Sequence, residues 1–141
     1  MNLKGCYSSK SVEWETPIDL FELLNEEFHF NLDPCSTDEN AKCKNHFTKE
    51  VDGLKQDWKG YRVFCNPPYG RKETGEWVKK SFCESQKDNT LVVMLIPART
   101  DTKWFHEYIY PYAEIRFIKG RLKFGNSVNS APFPSMIVIF R

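Results

Sequence analysis

The chain has 141 residues, of which 40% are hydrophobic, 28% charged and 15% aromatic. This composition is typical of a globular domain with one core, and it excludes disordered, collagen-like and coiled-coil proteins. The net charge is only +1, but residues 1–60 carry 7 basic and 12 acidic side chains whereas residues 61–141 carry 13 and 7, so the second part would attract a polyanion unless the asymmetry is chance.

The first predicted elements are a helix and a short strand. Thr16 and Pro17 are residue types preferred at a helix N-cap and at the first helical position. Alternating residues 28–32 predict a strand that ends at Asp33, and the polar stretch that follows predicts a short helix around residues 39–45 and then loop. The apolar residues at helical spacing after Pro17 are Leu20, Phe21, Leu24 and Phe28.

Strands and helices are predicted to alternate along the rest of the chain. The unbroken apolar run over residues 90–96 is typical of a strand buried on both faces. The predicted elements are strands over residues 61–65, 90–96, 113–118 and 135–140, and helices over residues 75–86 and 103–110.

This order of elements predicts an α/β domain with a largely parallel sheet. The last two strands are joined by the polar residues 120–134, which lack a helical apolar pattern. We therefore expect these two strands to be adjacent and antiparallel. No internal repeat or linker-like stretch interrupts the chain, so one domain over residues 1–141 is expected.

Targeting and metal-binding signals are not recognisable. No apolar run approaches 18 residues and the first six residues lack an apolar segment, so we expect a cytoplasmic protein without a membrane span. The five cysteines include no C-x-x-C pair, and no two of the three histidines are spaced i, i+4. Reduced thiols, no disulfide framework and no metal site are therefore expected.

The tetrapeptide Asn66-Pro67-Pro68-Tyr69 is the sharpest chemical signal in the sequence. It follows a predicted strand, whose end should open onto a ligand crevice, and two prolines stiffen its backbone. The Asn66 amide oxygen beside a backbone carbonyl could accept both hydrogens of an exocyclic amine, which would orient the nitrogen lone pair toward an electrophile. Tyr69 offers a ring on which a planar base could stack, without need of its hydroxyl. A strand-ending turn is the alternative.

The chain resembles the phage-type DNA N-6-adenine methyltransferase (Dam-like) family along nearly its whole length. The tetrapeptide and several other segments, in the same order, carry this resemblance. The resemblance implies a compact Rossmann-like class I methyltransferase sheet, mostly parallel with an antiparallel C-terminal strand and shortened between the first strand and the catalytic loop. It also implies S-adenosylmethionine as donor, no metal, double-stranded DNA as substrate, and a monomer or homodimer in a bacterial cytoplasm. The other matching segments include Trp14-Glu15-Thr16-Pro17, Asn31-Leu32-Asp33-Pro34-Cys35, Gly53-Leu54, Leu95-Ile96-Pro97-Ala98-Arg99 and Gly120-Arg121-Leu122.

The resemblance assigns residues 66–69 to catalysis. It places the methyl donor beside residues 14–17, residues 33–35 and Asp57. Asp57 would lie near the donor's adenine, and Asp38 or Asp52 could hold the ribose. Asp57 could equally be a surface carboxylate, Asp33 a turn residue and Trp14 a core aromatic. Thr16 and Pro17 would close over the methionine end of the donor. The remaining implied donor contacts are Trp14 and, in the first-strand motif, Asp33, Pro34 and Cys35.

Basic residues in the second part of the chain are the predicted DNA contacts. Lys119, Arg121 and Lys123 alternate, so an extended segment would present them on one side along a phosphate backbone; an ordinary solvated loop is the alternative. The resemblance places Phe124 where a second aromatic could sandwich a base turned out of the duplex. The other predicted contacts are Arg71, Lys72 and Arg99.

The leading hypothesis is therefore an enzyme that methylates N6 of adenine in DNA. The same loop chemistry would serve methylation of RNA or of a protein glutamine. A degenerate, non-catalytic DNA-binding module is a further alternative, because no glycine-rich turn follows Asp33.

Overall fold

The computed structural model describes residues 13–141, so Cys6, expected to be a reduced thiol, lies outside the described residues. The described elements, in chain order, are helix α1 (Ile18–Phe28), a 3₁₀ turn (Gly53–Lys55), strand β1 (Arg62–Cys65), helix α2 (Glu73–Ser85), strand β2 (Leu91–Pro97), a π-helical turn (Phe105–Ile109) and strands β3 (Glu114–Phe117) and β4 (Ser135–Phe140).

The sheet formed by the described strands has the order β1-β2-β4-β3. β1 and β2 are parallel, with Val63 opposite Val92, whereas β4 is antiparallel both to β2 and to β3. β1, β2 and β3 therefore run in one direction and β4 runs in the other. This confirms a mixed α/β class and the antiparallel pairing of the last two strands.

Both faces of the sheet are covered by helices. Successive side chains of a strand point to opposite faces. Phe64 of β1 packs edge-on against Phe21 of α1, with ring centroids 5.2 Å apart, whereas the next residue, Cys65, lies beside Ser81 of α2. All of β4, and all of β2 after Leu91, is buried, as unbroken apolar runs predict.

The strand predicted over residues 28–32 is wrong for nearly all of its length. Helix α1 extends to the start of this segment. His29 then adopts a left-handed backbone (φ 53°), and its N–H donates to the Asn25 carbonyl oxygen, which ends the helix. What remains of a strand is an isolated parallel bridge between Leu32 and Val63 of β1. Helix α1 and its cap thus take the first two residues, Phe28 and His29, that the alternation assigned to a strand.

The short helix predicted around residues 39–45 is also wrong, because that segment is a series of turns. Thr37 and Asn40 exchange side-chain to backbone hydrogen bonds, and the Lys42 N–H donates to the Asp33 carboxylate. Polar side chains thus take the N–H groups that a helix would pair with carbonyl oxygens. The later elements lie within two residues of their predicted bounds, although the helix after β2 is largely π-helical.

Candidate functional site

A cavity of about 450 Å³ opens at the carboxyl end of β1. Ligands bind at this edge of open α/β sheets, and the volume suits a small molecule. Its wall includes Asn66, which directly follows β1, and Asp33, which follows the bridge to β1. Further lining residues come from residues 13–16, residues 47–54 and the first turn of α2. The fold thus brings Asn66, Pro67 and Pro68 of the tetrapeptide and the first-strand motif to one cavity.

Every polar atom of the Asn66 side chain has a partner. Nδ2 donates to the Trp14 carbonyl oxygen at 2.6 Å and to Thr16 Oγ1 at 2.8 Å, and Oδ1 accepts from the Tyr69 hydroxyl. Because a carbonyl oxygen can only accept, these partners fix which end of the amide is NH₂ and which is oxygen.

Thr16 was predicted to be the N-cap of α1, but this prediction is wrong. Pro17 occupies the N-cap position, and no side chain caps that helix end. The Thr16 hydroxyl instead accepts from Asn66, and Thr16 is only 5% exposed. A tertiary contact has therefore replaced the local one.

Tyr69 is enclosed, with 3% of its surface exposed. Its hydroxyl lies within hydrogen-bond distance of both Asn66 Oδ1 and the Leu95 carbonyl oxygen, and burial raises the pKa of this phenol well above its usual value. Its ring packs edge-on against Phe124 and Phe133, with centroids 6.0 and 5.6 Å away. In this conformation the ring predicted to stack on a base is covered, and the hydroxyl contacts the Asn66 amide.

Trp14 completes an aromatic cluster with Tyr69, Phe124 and Phe133. Its ring lies 5.4 Å from Phe124 and 5.3 Å from Phe133, centroid to centroid. Phe124, predicted to meet a flipped base, is itself buried. The two predicted base-contacting rings are thus neighbours in one cluster, closed by residues from both ends of the described chain.

Asp33 is a buried carboxylate in the cavity wall, 4% exposed. Burial raises its pKa from 3.8 to about 6, and hydrogen bonds from the backbone N–H groups of Lys42 and Cys35 oppose that rise. Asp33 is therefore mostly ionised at pH 7. The neighbouring Cys35 thiol is neutral there, since burial raises its pKa to about 12.

The cavity wall is rich in acidic side chains, which favours a positively charged ligand. Asp52, one of two weak candidates for a ribose contact, lines the cavity and accepts from the Leu54 N–H. Sequence reasoning missed Glu73 and Glu76, which line the cavity from the first turn of α2. The one sequence signal that pointed to them was their position at a helix N-terminus, where acidic side chains are favoured. The acidic lining residues are Glu13, Glu15, Asp33, Asp52, Glu73 and Glu76, against the basic residues Lys42 and Lys49.

Gly53 allows the two sides of this cavity to approach each other. A Cβ atom at Gly53 would lie 2.1 Å from the Pro34 carbonyl oxygen and 3.0 Å from the Trp77 ring. Pro34 belongs to the first-strand motif and lines the cavity, as do Gly53 and Trp77. A larger residue would push the 3₁₀ turn away from that motif.

Asp57 lies outside the cavity, in contrast to its expected place beside the donor. Its carboxylate is exposed and accepts from Lys87 Nζ at 2.9 Å and from the Lys59 N–H at 3.0 Å; these contacts lower its pKa. The adjacent Trp58 is fully buried and donates to the Gly53 carbonyl oxygen, which leaves Asp57 facing solvent. Pro17, as the N-cap of α1, does not line the cavity either.

The predicted DNA contacts have different environments. Lys119, Arg121 and Lys123 are exposed and form no ion pair with any residue from 13 to 141. Gly120 has a positive φ of 75°, so the backbone bends after Lys119 and the row is not one continuous extended segment. Arg99 is half-buried and donates to the Tyr69 carbonyl oxygen at 3.3 Å. The remaining two, Arg71 and Lys72, are exposed beyond the tetrapeptide.

Within the described part of the chain, no group of three or more histidine, cysteine, aspartate or glutamate side chains is arranged to hold a metal ion. The helices between residues 13 and 141 also include none with the length and apolar character needed to cross a membrane.

The sequence is similar to a protein-family model and to three known proteins. A family model described as DNA N-6-adenine-methyltransferase (Dam) matches residues 6–141. A protein named DNA N-6-adenine-methyltransferase from Haemophilus phage HP1 (strain HP1c1) is 33% identical over 135 residues, which cover 90% of this chain and 77% of that protein. A protein of the same name from Escherichia phage T1 is 34% identical over 111 residues, 77% of this chain and 45% of that protein. The putative methyltransferase YfdM of Escherichia coli (strain K12) is 38% identical over 65 residues, 40% of this chain and 70% of that protein.

Proposed function

The chain belongs to the DNA N-6-adenine-methyltransferase (Dam) family, and we propose how its cavity and catalytic loop transfer a methyl group to N6 of adenine in DNA. One observation carries the proposal. The Asn66 amide, which can accept hydrogens from an amine, and the buried Asp33 carboxylate line the same cavity at the carboxyl end of β1.

We assign the sheet to the Rossmann-like class I methyltransferase type. The parallel pair β1–β2, the parallel bridge between Leu32 and Val63, and the insertion of antiparallel β4 beside β2 support this assignment. Between Leu32 and β1 the one described helical element is a 3₁₀ turn, which agrees with a fold shortened in this region.

S-adenosylmethionine is the donor that the family implies, and the residues present suit it. It supplies an electrophilic methyl group on a positively charged sulfur. The acidic lining favours that charge, and Asp33 contributes a buried negative charge at pH 7. Pro34, Phe64 and Trp77 supply apolar wall for the rest of the molecule. Asp33, Pro34, Cys35 and Trp14 line the cavity and remain the proposed donor contacts. Thr16 also lines the cavity, but its hydroxyl contacts Asn66. Asp57 does not line it.

In the proposed reaction, Asn66 Oδ1 accepts one hydrogen of the adenine amine and the Pro67 carbonyl oxygen accepts the other. These contacts orient the nitrogen lone pair toward the methyl group and become stronger as N6 becomes positively charged. As the bond between N6 and the methyl carbon forms, the sulfur–methyl bond of the donor would break, with its electron pair left on the now neutral sulfur. N6 then releases one proton to water, so no residue needs to act as a strong base. Most of the rate enhancement comes from positioning.

The target base must reach Tyr69 through the aromatic cluster. Phe124 and Phe133 pack against the Tyr69 ring, and Trp14 packs against both of them. Base entry therefore requires some of these side chains to move aside. The exposed cations at residues 119, 121 and 123 lie on the same segment as Phe124, so DNA bound there would be close to this cluster.

Donor affinity is expected to depend on the ionisation of Asp33. If only the carboxylate form binds well, a pKa near 6 means that affinity rises about tenfold between pH 5 and pH 7, since apparent affinity scales with the competent fraction. Asp33→Asn should weaken donor binding at pH 7 and abolish this rise. Calorimetric titration with S-adenosylmethionine at several pH values measures both. If wild type and Asp33→Asn bind the donor with equal affinity at all pH values, Asp33 has only a structural role in its turn.

The activity itself is tested by following a labelled methyl group. Purified protein, S-adenosylmethionine with a deuterated methyl group and unmethylated plasmid DNA are incubated, and the nucleosides are analysed by mass spectrometry. The label is expected in N6-methyladenine, and an RNA transcript of the same sequence serves as control. Label in cytosine, or in RNA but not in DNA, would contradict the assignment.

A further inference from the structure

Asn66 is held from one side by a segment distant in sequence. Both hydrogens of its Nδ2 are taken up by acceptors from residues 14–16, namely the Trp14 carbonyl oxygen and Thr16 Oγ1. Asn66 follows these residues by 50 positions or more, so the contacts are tertiary. The Asn66 amide therefore owes its orientation to a segment outside the catalytic loop.

The segment itself is fastened in place. Asn126 accepts from the Glu15 N–H at 3.0 Å and donates to the Glu13 carbonyl oxygen at 3.1 Å, and the Gly125 N–H donates to the Glu15 carbonyl oxygen at 2.9 Å. These three bonds link residues 13–15 to the loop between β3 and β4. Thr16 is thus presented to Asn66 by a braced backbone.

Amide orientation matters for the chemistry proposed above. An amide rotated by 180° would present NH₂ where the reacting amine needs an acceptor, and two donors would then face each other. The Trp14 carbonyl oxygen excludes this rotation, because it can only accept and would then face the amide oxygen, whereas the Thr16 and Tyr69 hydroxyls can both donate and accept. Such an unpaired buried polar group is costly.

We propose that Thr16 is a positioning residue for methyl transfer: its hydroxyl, together with the Trp14 carbonyl, holds the Asn66 amide with Oδ1 available to the adenine amine. This inference rests on the proposed function of Asn66. It differs from the role that the family resemblance implies for Thr16, which is a contact to the donor. The two roles separate experimentally, because a donor contact changes donor affinity and a positioning contact changes the rate at saturation.

The test is a double-mutant cycle between Thr16 and Asn66. Thr16→Val keeps the shape of the side chain and removes the acceptor, whereas Thr16→Ser keeps the acceptor. Single-turnover methylation at saturating donor and DNA should slow about tenfold in Thr16→Val, the effect of losing one neutral hydrogen bond, and return to within about twofold of wild type in Thr16→Ser. Donor affinity, measured by calorimetry, should stay within about twofold in both variants.

The decisive comparison uses an Asn66→Ala background. If Thr16 acts through the Asn66 amide, Thr16→Val should cause no further slowing there. An equal slowing in both backgrounds, or a loss of donor affinity with an unchanged saturated rate, overturns the proposal. Thermal unfolding checks each variant, and Thr16→Ala replaces Thr16→Val if the latter does not fold. Should Asn66→Ala alone prove nearly as active as wild type, the proposed chemistry of Asn66 fails, which is a distinct result.

Discussion

Replacing Asn66 by alanine is expected to slow methyl transfer by about 10²–10³-fold, the usual effect of removing one preorganised polar group from a transition state. The amide oxygen is worth most as N6 becomes cationic, so the loss falls on the chemical step. The Asn66 side chain bonds to residues 14, 16 and 69, and none of these contacts belongs to the sheet. The fold should therefore be retained.

Single-turnover methylation at saturating donor and DNA measures this effect, with circular dichroism and donor calorimetry on the same protein. Asn45→Ala is the matched control, because the Asn45 side chain is exposed, lies outside the cavity and makes one long hydrogen bond of 3.3 Å to the Asn31 carbonyl oxygen. A rate for Asn66→Ala within about threefold of wild type would refute the proposed mechanism.

The second large effect is expected on DNA affinity when Lys119, Arg121 and Lys123 are all replaced by alanine. The three side chains are exposed and form no ion pair among residues 13–141, so no intramolecular carboxylate competes with a phosphate for them. Each phosphate contact releases counterions, and the slope of log affinity against log salt should fall by about one per lost contact. The triple variant should bind all DNA sequences about 10–10³-fold more weakly at low salt.

Fluorescence anisotropy with a labelled duplex at several salt concentrations gives affinity and slope together. A triple variant of Lys44, Lys55 and Lys59 is the control, since these exposed lysines lie in the acidic first part of the chain and their loss changes the net charge equally. If the two triple variants weaken binding alike, the effect is one of overall charge. If the variant that lacks Lys119, Arg121 and Lys123 has an unchanged slope of log affinity against log salt, these three side chains do not contact phosphates.

Tyr69 illustrates how tertiary structure changes an expectation. Sequence reasoning assigned stacking to its ring and no role to its hydroxyl. The structure places that hydroxyl beside Asn66 Oδ1 and the Leu95 carbonyl oxygen, inside an aromatic cluster. In the conformation described, the Tyr69 hydroxyl thus contacts the Asn66 amide, and the stacking of Tyr69 on a base remains a prediction.

Asp57 and Asp52 show the same limit of sequence reasoning for the proposed donor site. Asp57 was expected in it and Asp52 was a weak candidate, yet Asp52 lines the cavity and Asp57 pairs with Lys87 at the surface. The two residues are five positions apart, in a stretch whose one regular element is a three-residue 3₁₀ turn. No side-chain periodicity applies there, so direction is set by the anchoring of Trp58 and by the close approach of Gly53 to Pro34.

The sequence alone determined the features that depend on local pattern: the strands that form the sheet, the burial of β2 and β4, the antiparallel last pair and the place of the tetrapeptide after β1. Apolar periodicity and the backbone restriction of proline act over a few residues, so they can be recognised without a structure. Only the tertiary structure decided that Thr16 holds Asn66 and that Trp14 covers Phe124. These contacts join residues 50 or more positions apart, and such pairings follow from how the helices and loops pack on the sheet, because no local pattern encodes them.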